Sequence, residues 1–246
     1  MFRKLKRSNR QMKLAKDEKN YARRYANEYH LLRALFQAFA VYIMFYPYFK
    51  LVYNIKREGV ENIPKTGNCI FAGNHVSMFD PLIMSFAVAK PIVYMAKRQL
   101  FQGGAMAWWI KRLGTFSVNQ EKPEISTFKT IKEVFKTTWP LGIFPQGGIK
   151  ENKKIEDIQK GFAVIAKSSK ANIIPVSISG FEGYSKKPFS QNVRVKIGTP
   201  ISFELPVEEI IQQWTKQICD STGFENCMTK EYEQANIVEE EQKILV

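Results

Sequence analysis

Residues 34–49, ALFQAFAVYIMFYPYF, form a long apolar run with no charged residue and one glutamine, Gln37. Arg33 and Lys50 bracket it. Sixteen helical residues span ~24 Å, short of the ~30 Å hydrocarbon core of a bilayer. Tyr42, Tyr46, Tyr48 and Tyr53 suit a position near lipid headgroups. Pro47 is expected to kink or end a helix. The pattern predicts a helix that dips into one leaflet. A buried core helix has a similar pattern, and that alternative stays open here.

Beyond this run the pattern switches between short apolar stretches and segments with helical spacing. Strands are expected at Val52–Glu58, Cys69–Ala72, Ile92–Ala96, Thr115–Val118, Leu141–Phe144, Ile173–Ile178 and Val193–Ile197. Helices are expected at Pro81–Val88, Gly104–Leu113, Pro123–Thr137, Gly161–Ser168 and Val207–Ile218. Pro123 stands where it would start its helix, with Ile125, Phe128, Ile131, Val134 and Phe135 on one face. Strands separated by helices predict an α/β sheet covered on both faces. The chain divides into a basic, membrane-associated segment (1–54), an α/β body (55–205) and an acidic helical tail (206–246). Ligands of such sheets gather outside the strand carboxyl ends, so the chemistry is sought there.

Charge sharpens the picture. The 246 residues carry 37 Lys and Arg against 23 Asp and Glu, a net +14. After residue 200 there are ten acids and three bases, leaving 34 bases and 13 acids before it. The first 24 residues hold ten bases against Asp17 and Glu18. No apolar core follows closely enough for a secretory signal. A basic arm joined to an apolar helix fits an anionic lipid surface. A nucleic-acid arm would not need a sticky apolar segment behind it, and no nucleic-acid partner is expected. Cys69, Cys219 and Cys227 give neither a disulfide framework nor a zinc spacing. The only histidines are His30 and His75.

His75 follows the Cys69–Ala72 strand, and Asp80 stands five residues later, before Pro81. On a continuous helix, residues five apart diverge and could not meet. In a tight loop entering a helix they can, with Asp80 as N-cap and Pro81 in the first turn. The pair would then make a general base oriented by an acid. The plainer alternative is a capping aspartate beside an ordinary loop histidine.

The run Asn74-His75-x-Ser77-x-x-Asp80-Pro81 resembles the first motif of the glycerolipid acyltransferases, specifically the 1-acylglycerol-3-phosphate acyltransferase family. Met95–Phe101, Leu113–Asn119, Phe144–Gly148, Lys160–Ala163 and Ile174–Val176 resemble further blocks of that family, in the same order. The resemblance spans roughly residues 56–200 and implies a mixed, largely parallel sheet flanked by helices. It also implies a one-step transfer. His75 takes the proton of a lysolipid hydroxyl, Asp80 orients His75, and the alkoxide attacks the thioester of acyl-CoA or acyl-carrier protein. No metal, bound cofactor or acyl-enzyme is implied. Lys97, Gln146, Gly147, Gly148 and Lys150 fall at acceptor- or phosphate-binding positions, and Asn74 and Ser77 support the loop. The implied setting is a phospholipid membrane, on the cytoplasmic face of a bacterial-type inner membrane.

The departures matter. The family's third block usually reads Phe-Pro-Glu-Gly-Thr-Arg; here Gln146 replaces the acid and Ile149 the arginine. The second block's arginine is missing, with Asn119 and Gln120 in its place. Lys97 remains, and Lys150 or Lys153 offers a point charge without arginine's fork. The acceptor is therefore expected to be lysophosphatidate, or another lysolipid or amphiphilic alcohol. A membrane-surface binding protein without catalysis is the alternative from another class.

Overall fold

The computed structural model describes residues 23–119, 124–150, 152–181, 187 and 189–228. The expectations for most of the basic arm, Gln120, Pro123 and residues 229–246 lie outside the described residues.

In chain order the strands are β1 Lys56–Glu58, β2 Cys69–Gly73, β3 Val93–Lys97, β4 Phe116–Val118, β5 Leu141–Ile143, β6 Lys154–Ile155, β7 Asn172–Ser179, β8 Arg194–Ile197 and β9 Glu225–Asn226. Seven of them form one sheet in the order β1-β8-β7-β2-β5-β3-β4. Only β7 and β8 pair antiparallel; every other neighbouring pair in this sheet is parallel. The fold is thus the mixed, largely parallel α/β sheet that was expected. The short strands β6 and β9 pair with each other beside it.

All five residues of β2 are buried, as a strand covered on both faces requires. Its alternation sorts them between two cores. Ile70 and Ala72 join the core on one side, with Leu141, Ile173, Phe162 and Trp214. Cys69 and Phe71 join the other, with Ile174, Met84 and Phe49. Burial in that layer pushes the Cys69 thiol up to about 11. The first face is covered by α4 (Ile125–Val134), α5 (Gly161–Ser169) and α6 (Val207–Thr222). The second is covered by α1 (Leu31–Tyr53) and α2 (Asp80–Val88). Helix α3 (Gly104–Arg112) lies beside α1, where Phe36 meets Trp108 and Trp109.

α6 buries Ile210, Ile211, Trp214 and Ile218 in the same core as β2. The Trp214 indole N–H donates to the Ala72 carbonyl at 2.9 Å. The start of the segment set apart as an acidic tail therefore packs as part of the α/β body.

α1 is longer than the apolar run suggested. Its 23 residues continue through Pro47 to Tyr53. A wider π-helical stretch, Phe39–Phe45, comes just before the proline. The α form resumes at Tyr46, with Pro47 second in the new stretch. There the ring and the missing N–H disturb little, as at any helix start. The helix ends at Asn54, whose φ of 42° is left-handed. Val52 and Tyr53 are therefore helical, not part of a strand beginning at Val52. The strand here is only Lys56–Glu58.

One side of α1 is docked on the body. Gln37, Ala40, Val41, Phe49, Val52 and Tyr53 are buried. The Gln37 amide donates to the carbonyls of Ile92 (2.9 Å) and Leu113 (2.5 Å) and accepts from the Ile92 N–H (3.1 Å). The other side leaves Leu31, Leu32, Leu35, Phe39 and Ile43 half or more exposed.

Two bases near the apolar run do not face outward as an arm on lipid would. Arg24 is buried and donates to the carbonyls of Lys111 and Thr115. Arg33 donates to those of Glu28, Lys111 and Arg112. The carbonyls at the end of α3 carry the negative end of its dipole, so guanidinium groups settle there.

Trp214→Phe should destabilise the protein by about 1 kcal/mol through the lost bond to Ala72. Trp214→Ala should cost about 3–5 kcal/mol by opening a cavity. Urea unfolding in detergent, followed by circular dichroism, measures both. Equal effects of the two substitutions would show that α6 is not locked in the core this way.

Candidate active site

The site is built where β2 ends. A Cβ on Gly73 would come 2.5 Å from Met84 Cε and 3.2 Å from the Val176 carbonyl oxygen, so glycine here lets the strand pass close under α2 without displacing the end of Met84. Asn74 is fully buried, and its side-chain amide bonds both polar groups of Ile178, donating to the carbonyl at 2.9 Å and accepting from the N–H at 2.7 Å. The loop that follows is thereby pinned to β7.

His75 Nδ1 and Asp80 Oδ2 lie 2.8 Å apart. The same oxygen accepts the backbone N–H groups of Val76 (2.7 Å) and Ser77 (2.8 Å). Asp80 is the first residue of α2 and not its N-cap; that position is held by Phe79. The carboxylate reaches back to the loop and folds it around itself. The Ser77 hydroxyl accepts from the Phe79 N–H at 3.1 Å and tightens the same turn. Burial raises the Asp80 carboxyl above the usual carboxylate range, while the bonds from His75, Ser77 and Val76 pull it down. When Asp80 is ionised its oxygen only accepts, so Nδ1 is the donor in this bond and Nε2 is the ring nitrogen left to take a proton.

The His75 ring stacks on Phe144, with centroids 4.3 Å apart. Phe144 in turn lies parallel to Tyr94 at 6.1 Å. The Tyr94 hydroxyl donates to the Pro81 carbonyl at 2.7 Å and is 2.9 Å from the Ser85 hydroxyl, and burial raises its phenol far above the usual value. About a sixth of the His75 side chain remains open to solvent, while Asp80 has no exposure.

The loop after β5 grips His75 from behind. The His75 N–H donates to Gln146 Oε1 at 3.1 Å, and the Lys150 N–H donates to the His75 carbonyl at 2.8 Å. Gln146 Nε2 donates to the Lys154 carbonyl at 3.2 Å, so a buried side chain expected to bind acceptor has both ends of its amide occupied by the protein. Gly147 turns the chain with φ 69°. A Cβ placed on Gly148 would be 3.5 Å from Lys97 Nζ, so the ammonium at the end of β3 reaches this turn. The Lys150 ammonium faces Asp157 at 3.2 Å and Glu156 at 3.7 Å, which offsets its charge. Ile149 is 45% exposed.

The structure thus brings together His75, Asp80, Asn74, Ser77, Gln146, Gly147, Gly148 and Lys97. Lys150 joins them through its backbone while its charge points to carboxylates. Sequence reasoning missed the packing of Phe144 under the ring, although Phe144 stood in a quoted block, and it missed Tyr94 and Lys154. Among the described residues, no three His, Cys, Asp or Glu side chains gather so as to hold a metal ion.

A family model described as Acyltransferase matches residues 54–179. The chain is 32% identical over 151 residues to a 1-acyl-sn-glycerol-3-phosphate acyltransferase of Streptococcus pneumoniae, covering 60% of this chain and 56% of that protein. It is 28% identical over 151 residues to the enzyme of that name from Bacillus subtilis, covering 60% of this chain and 73% of the relative. The chain thus spans little more than half the length of the pneumococcal relative. The crystal structure of the 1-acyl-sn-glycerophosphate acyltransferase PlsC from Thermotoga maritima overlays with a TM-score of 0.52 at 22% identity, over 68% of this chain and 71% of that one, a likeness of fold. The matched residues run from the end of α1 through β7, and they contain His75, Asp80 and the loop that grips them. By that match over half its length, the chain belongs to the Acyltransferase family.

Proposed function

We propose that the chain is a membrane-surface O-acyltransferase. It moves a fatty acyl group from acyl-CoA or acyl-carrier protein to the free hydroxyl of lysophosphatidate, making phosphatidate. The observation that carries this reading is the 2.8 Å bond between His75 Nδ1 and Asp80 Oδ2, with the far edge of the ring open at the strand carboxyl ends. The names of the relatives supply the acceptor.

His75 Nε2 accepts the hydroxyl proton as the hydroxyl oxygen bonds to the thioester carbonyl carbon. Asp80 holds the ring and stabilises the imidazolium that forms. Loop amides and the Lys97 ammonium supply positive charge for the oxyanion or the acceptor phosphate. The C–S bond then breaks, and the thiolate leaves with the proton returned from His75. No group other than the two substrates is required.

A second acceptor class is favoured by specific observations. Gln146 is turned inward, Lys150 is paired, and Ile149 puts an apolar side chain where the family usually has arginine. The Gly147 N–H is donated to the Phe144 carbonyl at 3.0 Å, which leaves a phosphate the Lys97 ammonium beside Gly148 and the point charge of Lys153. Another lysolipid or an amphiphilic alcohol fits that surface. A binding protein without catalysis would have no use for the dry His75–Asp80 pair.

Membrane contact is supported by α1. At 23 residues it is long and apolar enough to cross a bilayer by length and composition. To cross one it would have to give up the Gln37 bonds and expose Phe49, Val52 and Tyr53. Lying flat keeps these and sinks the outer face into lipid, each fully buried apolar side chain contributing roughly 1.5–3 kcal/mol. Trp108 and Met106 on α3 are also exposed. The cytoplasmic face of a bacterial-type inner membrane, where acyl thioesters are made, suits this arrangement.

His75→Ala should lower acyl transfer to lysophosphatidate by roughly 10²–10⁴-fold while leaving the protein folded and bound to vesicles, with stability reduced by about 1.5–3 kcal/mol through the lost bond to Asp80. Turnover near that of the unaltered protein would remove His75 as the base.

Lys97→Ala should raise the KM for lysophosphatidate roughly ten- to a hundredfold, the range expected for one charge-assisted bond, and spare the KM of the thioester. If instead the preferred acceptor in a lysolipid panel is insensitive to this change, the acceptor is not read through a phosphomonoester.

Leu35→Glu combined with Ile43→Glu should abolish sedimentation with neutral phosphatidylcholine vesicles. Retained binding would show that the outer face of α1 does not meet lipid.

A further inference from the structure

The strand β9 is far along the chain from His75, yet a short path of hydrogen bonds joins them. Lys154 pairs with Glu225 and Ile155 with Asn226 in the β6–β9 ladder. The Glu225 N–H donates to the Lys153 carbonyl at 3.0 Å, and the Cys227 N–H to the Ile155 carbonyl at 3.1 Å. The Lys154 carbonyl accepts from Gln146 Nε2 at 3.2 Å. Gln146 Oε1 accepts from the His75 N–H at 3.1 Å.

We propose that the segment Phe224–Met228 is a positioning element for His75, acting through β6 and the Gln146 amide. The proposal rests on the acyl-transfer reading given above. Two-residue strands are too short to hold a geometry alone, so β6 depends on what anchors it. Ile155 is fully buried in the core, and Phe224 and Met228 pack against the same core. Gly223, with φ 72°, ends α6 and turns the chain back so that β9 meets β6. The Lys154–Glu225 ion pair is solvent-exposed and adds little. The backbone bonds and the core anchors hold the register.

The relay explains why residue 146 is an amide here. It must accept from His75 and donate to Lys154. A carboxylate does the first and cannot do the second, and its oxygen would face the Lys154 carbonyl oxygen in a buried place. The acid usual in this block of the family is thus excluded by the carbonyl that this chain presents. The consequence for catalysis is geometric. A base displaced by a fraction of an ångström loses alignment with the hydroxyl it must deprotonate, and an error near 1 Å costs about 10²-fold.

The test uses the full chain in detergent, with four substitutions: Gln146→Glu, Gln146→Leu, Cys227→Pro and Cys227→Ala. Proline at 227 removes the N–H that bonds Ile155, and alanine keeps it. Two readouts are taken: the kcat and KM for acyl-CoA and lysophosphatidate, and deuterium uptake in a peptide covering residues 74–79. Gln146→Glu, Gln146→Leu and Cys227→Pro should each lower kcat about tenfold, leave both KM values within twofold, and speed exchange in the 74–79 peptide. Cys227→Ala should match the unaltered protein. The double variant Gln146→Leu/Cys227→Pro should be no worse than the more severe single one, because both cut one path. Cys227→Pro with normal kcat and normal exchange at 74–79 would overturn the proposal, as would Gln146→Glu behaving like the unaltered protein. Should the Gln146 variants fail to fold, Cys227→Pro decides alone. Failure of the unaltered protein to turn over any lysolipid would sink the acyl-transfer reading, and the exchange measurements would still decide whether the segment positions His75.

Discussion

The constraint on which the site depends is the dry carboxylate of Asp80. A charge without water costs several kcal/mol unless donors surround it. Here the donors are the His75 ring and two consecutive loop N–H groups, all on one oxygen. The group also stands at the first residue of α2, where the helix dipole favours negative charge. Only a tight loop can bring residues 75, 76 and 77 around one atom. The carboxylate therefore shapes the loop, and the loop leaves the imidazole on the open side. His75 is held at its ring by Asp80 and Phe144, and at its backbone by Gln146 and Lys150.

Sheet order explains how residues so distant in sequence come together. β2 lies between β7 and β5, and β3 follows β5. These strands are mutually parallel, so their carboxyl ends share one edge. That edge collects Asn74 and His75 from β2, the 144–150 loop from β5, and Lys97 from β3. Ile178 near the end of β7 supplies the anchor for Asn74. The same edge is where open α/β sheets take ligands.

Much of this was legible in the sequence, and the rest was hidden for physical reasons. The strands β2, β5 and β7 are read from short apolar runs, because burial on both faces leaves little choice of residue, while β8 alternates exposed Arg194 and Lys196 with buried Val195 and Ile197. The pairing of His75 with Asp80 follows from a spacing that only a loop can use. The continuation of α1 through Pro47 was not legible, since a π stretch depends on tertiary support and has no simple signature. Gln37 stood out as the only polar residue of the apolar run, but its partners, Ile92 and Leu113, come from other elements. Gln146 looked like a contact for acceptor because its block faces acceptor in the family. Its inward turn depends on a carbonyl from a strand of only two residues. Lys150 looked like a free cation, and the carboxylates of Glu156 and Asp157 lie on the next stretch of chain.

The docking of α1 bears on how a lipid would meet the base. Its inner face does not rest on a remote part of the body. Phe45 and Phe49 contact Phe79, the N-cap of α2 and the neighbour of Asp80. Tyr42 and Tyr46 contact Phe86 on the same helix, with Tyr46 stacked at 4.6 Å. α2 is therefore held between the sheet and α1, and its first residue carries the carboxylate. On the reading in which the outer face of α1 lies in lipid, the surface that grips the membrane and the helix that orients the base are in direct contact through aromatic rings. The base and the helix that would meet lipid are thus linked through α2 and its aromatic contacts. An acceptor that kept part of its acyl chain in the bilayer while its hydroxyl reached Nε2 would keep that part of its apolar surface out of water.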